Sequence, residues 1–176
     1  DFGAFVVITA IAMGVLFLGG MNWKLFAVLT LLLFVAFVGL VNMADYRQAR
    51  LFGFLNPFED PLNTGYQLTH SLMAFGLGGL FGVGLGDSIQ KLHYLPEPHT
   101  DFILAVIGEE MGFIGVAVTV AAFGWLTLRM IIIGNQAARL ERYFAALVAQ
   151  GVAIWIGVQA LINMGVNVGA LPTKGL

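Results

Sequence analysis

The residue best placed to move a proton is Asp101. It follows the stiff run Leu95-Pro96-Glu97-Pro98-His99-Thr100 and precedes a long apolar stretch that opens at Phe102. The two prolines oppose helix on the approach, so Asp101 falls where a helix can start. Two chemistries suit a carboxylate there. As an N-cap it would accept a backbone N–H of the first turn. As a general base it would take the proton of a substrate hydroxyl at a membrane surface. The positive end of a helix favours the charged carboxylate and weakens it as a base. A base here therefore needs a nearby acid or partial desolvation.

The residues one turn and more beyond Asp101 on its helical face are Ala105, Gly108, Gly112, Gly115 and Thr119, all small. Gly108 and Gly112 form a small-xxx-small pair that lets another helix approach closely. Glu109 lies about 80° from that face and Glu110 about 180°, so the two do not point at one site. Carboxylates in an apolar span are costly and face protein or water, which suits either a structural role or a substrate contact. Further along, Trp155, Gln159, Asn163 and Asn167 recur every four residues and share one face. That stripe reads first as interhelical hydrogen bonding, and second as the polar wall of a substrate cavity. Arg47, Arg50 and Lys91 offer phosphate contacts, against ordinary anchoring at the membrane interface. His70, His93 and His99 have no metal-ligand spacing. Gly82-x-Gly84-x-Gly86 follows no strand and is no nucleotide fingerprint.

These groups sit in a chain whose 176 residues are 59% hydrophobic and only 10% charged, against about 25% charged in a typical soluble domain. A bilayer is the natural solvent. The net charge of −2 gives no field for nucleic acid, and the absence of cysteine excludes disulfides and thiolate metal sites. Four apolar stretches can span: Phe2 to Gly20, Leu25 to Met43, Phe102 to about Ile133, and about Tyr143 to Val168. Backbone groups in hydrocarbon must bond within their own segment, so all four are expected to be helices. The expected organisation is two transmembrane helices in 1–44, a functional loop in 45–101, and two transmembrane helices in 102–176. Within the loop, a short interfacial helix is expected from Tyr66 to about Phe75, capped by Asn63 or Thr64. Leu68, Leu72 and Phe75 would form its apolar face, opposite Gln67, His70, Ser71 and Ala74. The glycines from Gly76 to Gly86 argue against extending it. Lys and Arg divide four and four between the two sides, but Arg129, Arg139 and Arg142 cluster in a short loop, which favours the cytoplasm for that loop and the outside for 45–101. The start at Asp1 and the end at Leu176 read as cuts through a longer protein.

Several runs carry a resemblance to a known family. They are Asn56-Pro57-Phe58-Glu59-Asp60-Pro61, Gly65-Tyr66-Gln67-Leu68, Ser71-Leu72-Met73-Ala74-Phe75-Gly76 and Ser88-Ile89-Gln90-Lys91-Leu92. Leu95 to Ile103, Glu109-Glu110-Met111-Gly112 and Leu171-Pro172-Thr173-Lys174-Gly175-Leu176 complete the set. Together they resemble the SEDS family (shape, elongation, division and sporulation) over essentially the whole chain, with Leu95 to Phe102 the most specific run. The Asn-Pro loop and the Pro-Thr-Lys-Gly-Leu ending look most like the division branch of a proteobacterium. His70, Leu77, Asp87 and His93 depart from the usual pattern.

The resemblance implies an all-α, polytopic transmembrane bundle with a large periplasmic loop. Of the family's ten helices the chain would supply the sixth to the ninth. The implied activity is polymerisation of lipid II into glycan strands at the division septum of the bacterial inner membrane. The implied partners are a class B penicillin-binding protein (a transpeptidase), other division membrane proteins and membrane lipid. Asp101 matches the family's essential loop aspartate and would act as the base. Arg47, Arg50, Gln67, Ser71, Lys91, Glu97, His99 and Glu109 are the substrate-binding candidates, with a divalent cation such as Mg or Mn beside the pyrophosphate. The rivals are an elongation polymerase, a lipid II flippase and a non-catalytic division scaffold. Acidic groups crowding one end of the spans favour surface chemistry over transport through the midplane. The fragment alone is expected to be inactive, because the missing helices should build part of the cavity.

Overall fold

The computed structural model describes residues 2–42, 57–58, 65–92, 95 and 99–172. The described residues form five helices and no strand: α1 (Phe2–Leu18), α2 (Trp23–Asn42), α3 (Tyr66–Gly78), α4 (Ile103–Arg139) and α5 (Tyr143–Asn167). The four expected spans are all helical. α4 and α5, of 37 and 25 residues, are each long and apolar enough to cross a membrane. The chain is an all-α membrane protein.

The helices end where the backbone chemistry requires. After α1, Gly20 takes φ +92°, and the N–H groups of Gly20 and Met21 return to Phe17 and Leu16. Asn22 then caps α2, its Oδ1 accepting from Lys24 N at 2.9 Å. α4 runs six residues past the expected Ile133. It closes with the same 6→1 bond, from Arg142 N to Ala137 O, around Glu141 at φ +58°. Glu in that left-handed position gives none of the warning that glycine would.

The chain divides into two compact units. One gathers α1, α2, residues 122–139 of α4 and residues 143–160 of α5. Inside it Gly14 and Gly151 of facing helices receive Ile154 and Val15, and Gln150 donates to Asn135 at 3.0 Å. The other holds α3, the segment after it, the first half of α4 and the end of α5. Its core is Ala74, Leu95, Phe102, Ala105 and Val166, with Phe75, Val106 and Ile162 against it.

Two expectations for α3 are corrected. The helix continues to Gly78, and its N-cap position is Gly65, with no side-chain cap bond, while Asn63 and Thr64 lie outside the described residues. Its inward face is also wider than Leu68, Leu72 and Phe75: Leu68 is buried and Phe75 packs on the core, but Ser71 and Ala74, expected on the opposite side, are fully buried too. The buried residues are Leu68, Thr69, Ser71, Ala74 and Gly78, whereas Met73 and Leu77 are exposed. Small side chains face inward because α3 packs against backbone. A Cβ on Gly78 would sit 1.9 Å from Gly108 O.

The first part of α4 is not continuous with the rest. Gly112 takes φ +66° and ψ −164°, a region open essentially to glycine alone, and breaks the helix into 103–111 and 113–139. The break orphans the carbonyls of Glu109 and Glu110 and the N–H groups of Phe113 and Ile114. The segment after α3 supplies all four partners. Val83 N donates to Glu109 O at 2.9 Å and Gly84 N to Glu110 O at 3.1 Å. Phe113 N donates to Gly79 O at 2.9 Å and Ile114 N to Leu80 O at 3.3 Å. A side chain on Gly82 would meet Glu110 O at 2.1 Å, so the repair needs glycine there as well. The Gly108/Gly112 pair thus serves close approach, as its spacing suggests, but one of its members is a hinge in the backbone.

Gly112→Ala in the full-length protein should therefore cost about 1–3 kcal/mol, read as a lower midpoint of thermal unfolding in detergent micelles. An unchanged midpoint would mean that the chain passes this point without the left-handed residue.

Candidate functional site

The site assembles at the start of α4, between the end of α5 and α3. Asp101 stands two residues before Ile103 and is half-buried. Its backbone is held from α5. Asn167 Nδ2 donates to Asp101 O at 2.7 Å and Asn163 Nδ2 to the same oxygen at 3.0 Å. Asn167 Oδ1 accepts from Ala105 N at 3.0 Å, a proton that Ala105 shares with Phe102 O. An N3 amide bonded to a side-chain oxygen is the signature of an N-cap. Here the cap comes from another helix, and the N-cap expectation for Asp101 is corrected accordingly. None of the described residues donates to the Asp101 carboxylate.

Asn167 is fully buried and bonded at each polar atom. Besides Asp101, its Nδ2 reaches Asn163 O at 2.9 Å, and its carbonyl accepts from Ser71 Oγ at 2.8 Å. The polar stripe of α5 therefore splits in two. Asn163 and Asn167 bond across helices, while Trp155 Nε1 bonds Gln159 Oε1 along the same helix at 3.3 Å. Ser71, expected at the substrate, is fully buried and ties α3 to α5 instead.

Glu109, another expected substrate contact, is turned inward as well. It is fully buried, and its carboxylate accepts from Ser88 Oγ at 2.5 Å, from Ile89 N at 2.9 Å and from Gln90 N at 3.3 Å. Glu110 pairs with Lys91 Nζ at 2.5 Å, and the same ammonium donates to Gly86 O at 2.6 Å. The two carboxylates leave the helix in different directions, as their spacing requires. Yet the 86–91 segment wraps that end of α4, so both hold one loop. The Lys91 charge is thereby largely matched within the protein. Gln90 is itself anchored, its Oε1 lying 2.8 Å from His70 Nδ1.

Of the remaining candidates, Gln67 is half-buried and His99 is exposed near Asp101 in sequence. Arg47, Arg50 and Glu97, with His93, lie outside the described residues. Among the described residues no three His, Asp or Glu converge as metal ligands. The group that sequence reasoning undervalued is Ser88 with its neighbouring N–H groups. A Ser followed by amides opposite a buried Glu is the signal, but only the fold brings position 88 to position 109.

Comparison with known proteins agrees with this architecture. The family model described as Cell cycle protein (FTSW_RODA_SPOVE) matches residues 1–176. A relative from Aromatoleum aromaticum, named "Probable peptidoglycan glycosyltransferase FtsW", is 58% identical over 176 residues, covering 100% of this chain and 43% of its own length. One of the same name from Burkholderia thailandensis is 58% identical over 178 residues and is covered to 38%. The chain thus spans about two fifths of the relatives it matches. A chain from a solved structure described as "Structural coordination of polymerization and crosslinking by a peptidoglycan synthase complex" superposes with a TM-score of 0.69 at 28% identity, over 100% of this chain and 48% of that one.

The loop clamp is open to a stability test in the full-length protein. Glu109→Ala would strand three donors and should cost more than about 2 kcal/mol. Glu110→Ala opens a partly exposed pair and should stay within about 1 kcal/mol. Denaturation midpoints in mixed micelles should rank the variants in that order, and equal midpoints would remove Glu109 from its anchoring role.

Full-length coverage by the family model, the close relatives and the shared helical architecture together place this chain in the Cell cycle protein family of FtsW, RodA and SpoVE.

Proposed function

We propose that the whole protein polymerises lipid II into peptidoglycan glycan strands, and that Asp101 is its general base. The observation that supports this most is that none of the first-turn N–H groups of α4, all among the described residues, is bonded to the Asp101 carboxylate. It stands at a helix start, yet another residue performs the capping. A carboxylate committed to a first-turn N–H is a poor proton acceptor, because that bond favours its charged form. Asp101 escapes that bond while its backbone is fixed by two amides.

In the reaction a sugar 4-hydroxyl attacks the anomeric carbon of a second, lipid-linked sugar. Asp101 accepts the hydroxyl proton as the new glycosidic bond forms, and undecaprenyl pyrophosphate leaves with the bonding electrons. Arg47 and Arg50 remain the candidates for offsetting charge on the pyrophosphate, with Gln67, Glu97 and His99 as the sugar and peptide contacts. Lys91 would contribute only by loosening from Glu110. A Mg or Mn ion would meet the pyrophosphate with fewer than three His, Asp or Glu ligands from the described residues, which suits the mode in which Mg is bound mainly by substrate phosphates. The family description, Cell cycle protein, supports division as the setting, and the Arg129, Arg139 and Arg142 cluster favours the periplasmic side of the inner membrane for the 45–101 loop; the partner in this reading is a class B penicillin-binding protein. The solved relative, described as part of a peptidoglycan synthase complex, supports pairing with a cross-linking enzyme.

The test uses the full-length protein with its cognate transpeptidase. Asp101→Asn keeps the carbonyl that Asn163 and Asn167 hold, so insertion and partner binding should persist. Glycan synthesis should fall by about 10²–10⁴-fold. Undiminished synthesis would end the assignment of Asp101 as the base.

A further inference from the structure

The polar cluster that holds the Asp101 backbone consists of Asn167 and Ser71, both fully buried, and the half-buried Asn163. We infer that Asn167, seconded by Asn163, is a positioning residue that sets where the Asp101 carboxylate stands. The inference rests on the reading of Asp101 as base and adds a residue set to it.

The Asn167 carboxamide bridges both ends of the segment from Asp101 to Ala105. Its Nδ2 donates to the Asp101 carbonyl at 2.7 Å, and its Oδ1 accepts from Ala105 N at 3.0 Å. Fixing that carbonyl fixes the peptide plane that follows Asp101 and hence the position of its Cα, which leaves rotation about Cα–C as the one backbone freedom on that side that moves Cβ. Asn163 Nδ2 reaches the same oxygen at 3.0 Å, and Asn163 Oδ1 stands within 3.4 Å of the Asn167 amide, so the two carboxamides hold each other in register. Ser71 donates to the carbonyl of Asn167 and keeps the last turn of α5 against α3. The centre of the network is closed off, because Asn167, Ser71 and Ala105 are each fully buried. Buried amides with every polar atom paired define one arrangement, because any other leaves a group unpaired. A shift of about 1 Å in a catalytic group can cost on the order of 100-fold in rate.

The experiment compares Asn167→Leu, Asn163→Ala and Asp101→Asn in the full-length protein with its transpeptidase. Rates are counted per transpeptidase-bound molecule, so that loss of folded protein does not register. Asn167→Leu should lower kcat by about 10–100-fold, leave KM for lipid II within about twofold, and speed amide exchange at Ala105. Asn163→Ala removes one of two donors at a half-buried position and should lower kcat several-fold at unchanged KM. Should Asn167→Leu fail to fold, Asn163→Ala decides, and a wild-type kcat there overturns the inference. If Asp101→Asn is inactive while both asparagine variants keep wild-type kcat, the base stands and the positioning role falls. An active Asp101→Asn overturns both, and does so independently of the asparagines.

Discussion

A helix that stops at Gly112 and begins again leaves two carbonyls and two amides without partners. Where lipid replaces water such groups are tolerated only if protein satisfies them. That constraint organises the whole unit. The segment after α3 must lie against α4 with its own N–H and C=O groups turned to the break, and it can come that near only because Gly78, Gly82 and Gly112 carry no side chain. Once the segment is there, Glu109 and Glu110 hold its far end at Ser88 to Lys91. What reads in sequence as a long glycine-rich loop is therefore a built part of the helix bundle.

The division of α4 also explains how acidic residues can occupy so apolar an element. At about 1.5 Å per residue an unbroken helix of these 37 residues would measure about 55 Å, well beyond a hydrocarbon core of about 30 Å. The 27 residues after Gly112 suffice to cross. The nine before it form a separate short helix that carries both glutamates and has Asp101 at its start. Asp101, the proposed base, thus stands at the start of one short helix, whose amino end is capped by Asn167 and whose carboxyl end is repaired by the 79–84 segment.

Much of this was legible in the residues, and the failures have physical causes. The four long helices follow from composition, because a chain this apolar has few other ways to pair its backbone. Pro96 and Pro98 place Asp101 at a helix start. The recurrence of Asn163 and Asn167 points to bonding between helices. What the stripe does not disclose is the partner, since that depends on how two helices cross. The same tertiary fact hid the identity of the cap: local rules hand it to the nearest carboxylate, and packing handed it to a residue 62 positions from Ala105. The break at Gly112 was masked because glycine for close approach and glycine for positive φ look alike in sequence. Glu141 hid the end of α4 for the opposite reason, by adopting positive φ without being glycine.

The repair of α4 has a consequence for how such chains can vary in length. Gly79 and Val83 stand four apart, as do Leu80 and Gly84, and their partners Phe113 and Ile114 stand four from Glu109 and Glu110. The segment thereby substitutes for one helical turn, residue for residue. Inserting or deleting a single amino acid between positions 79 and 84 would put one pair of bonds out of phase with the other. Natural variants of this protein should accordingly be free to change the exposed Leu80 and Phe81 while keeping Gly82 and that spacing constant.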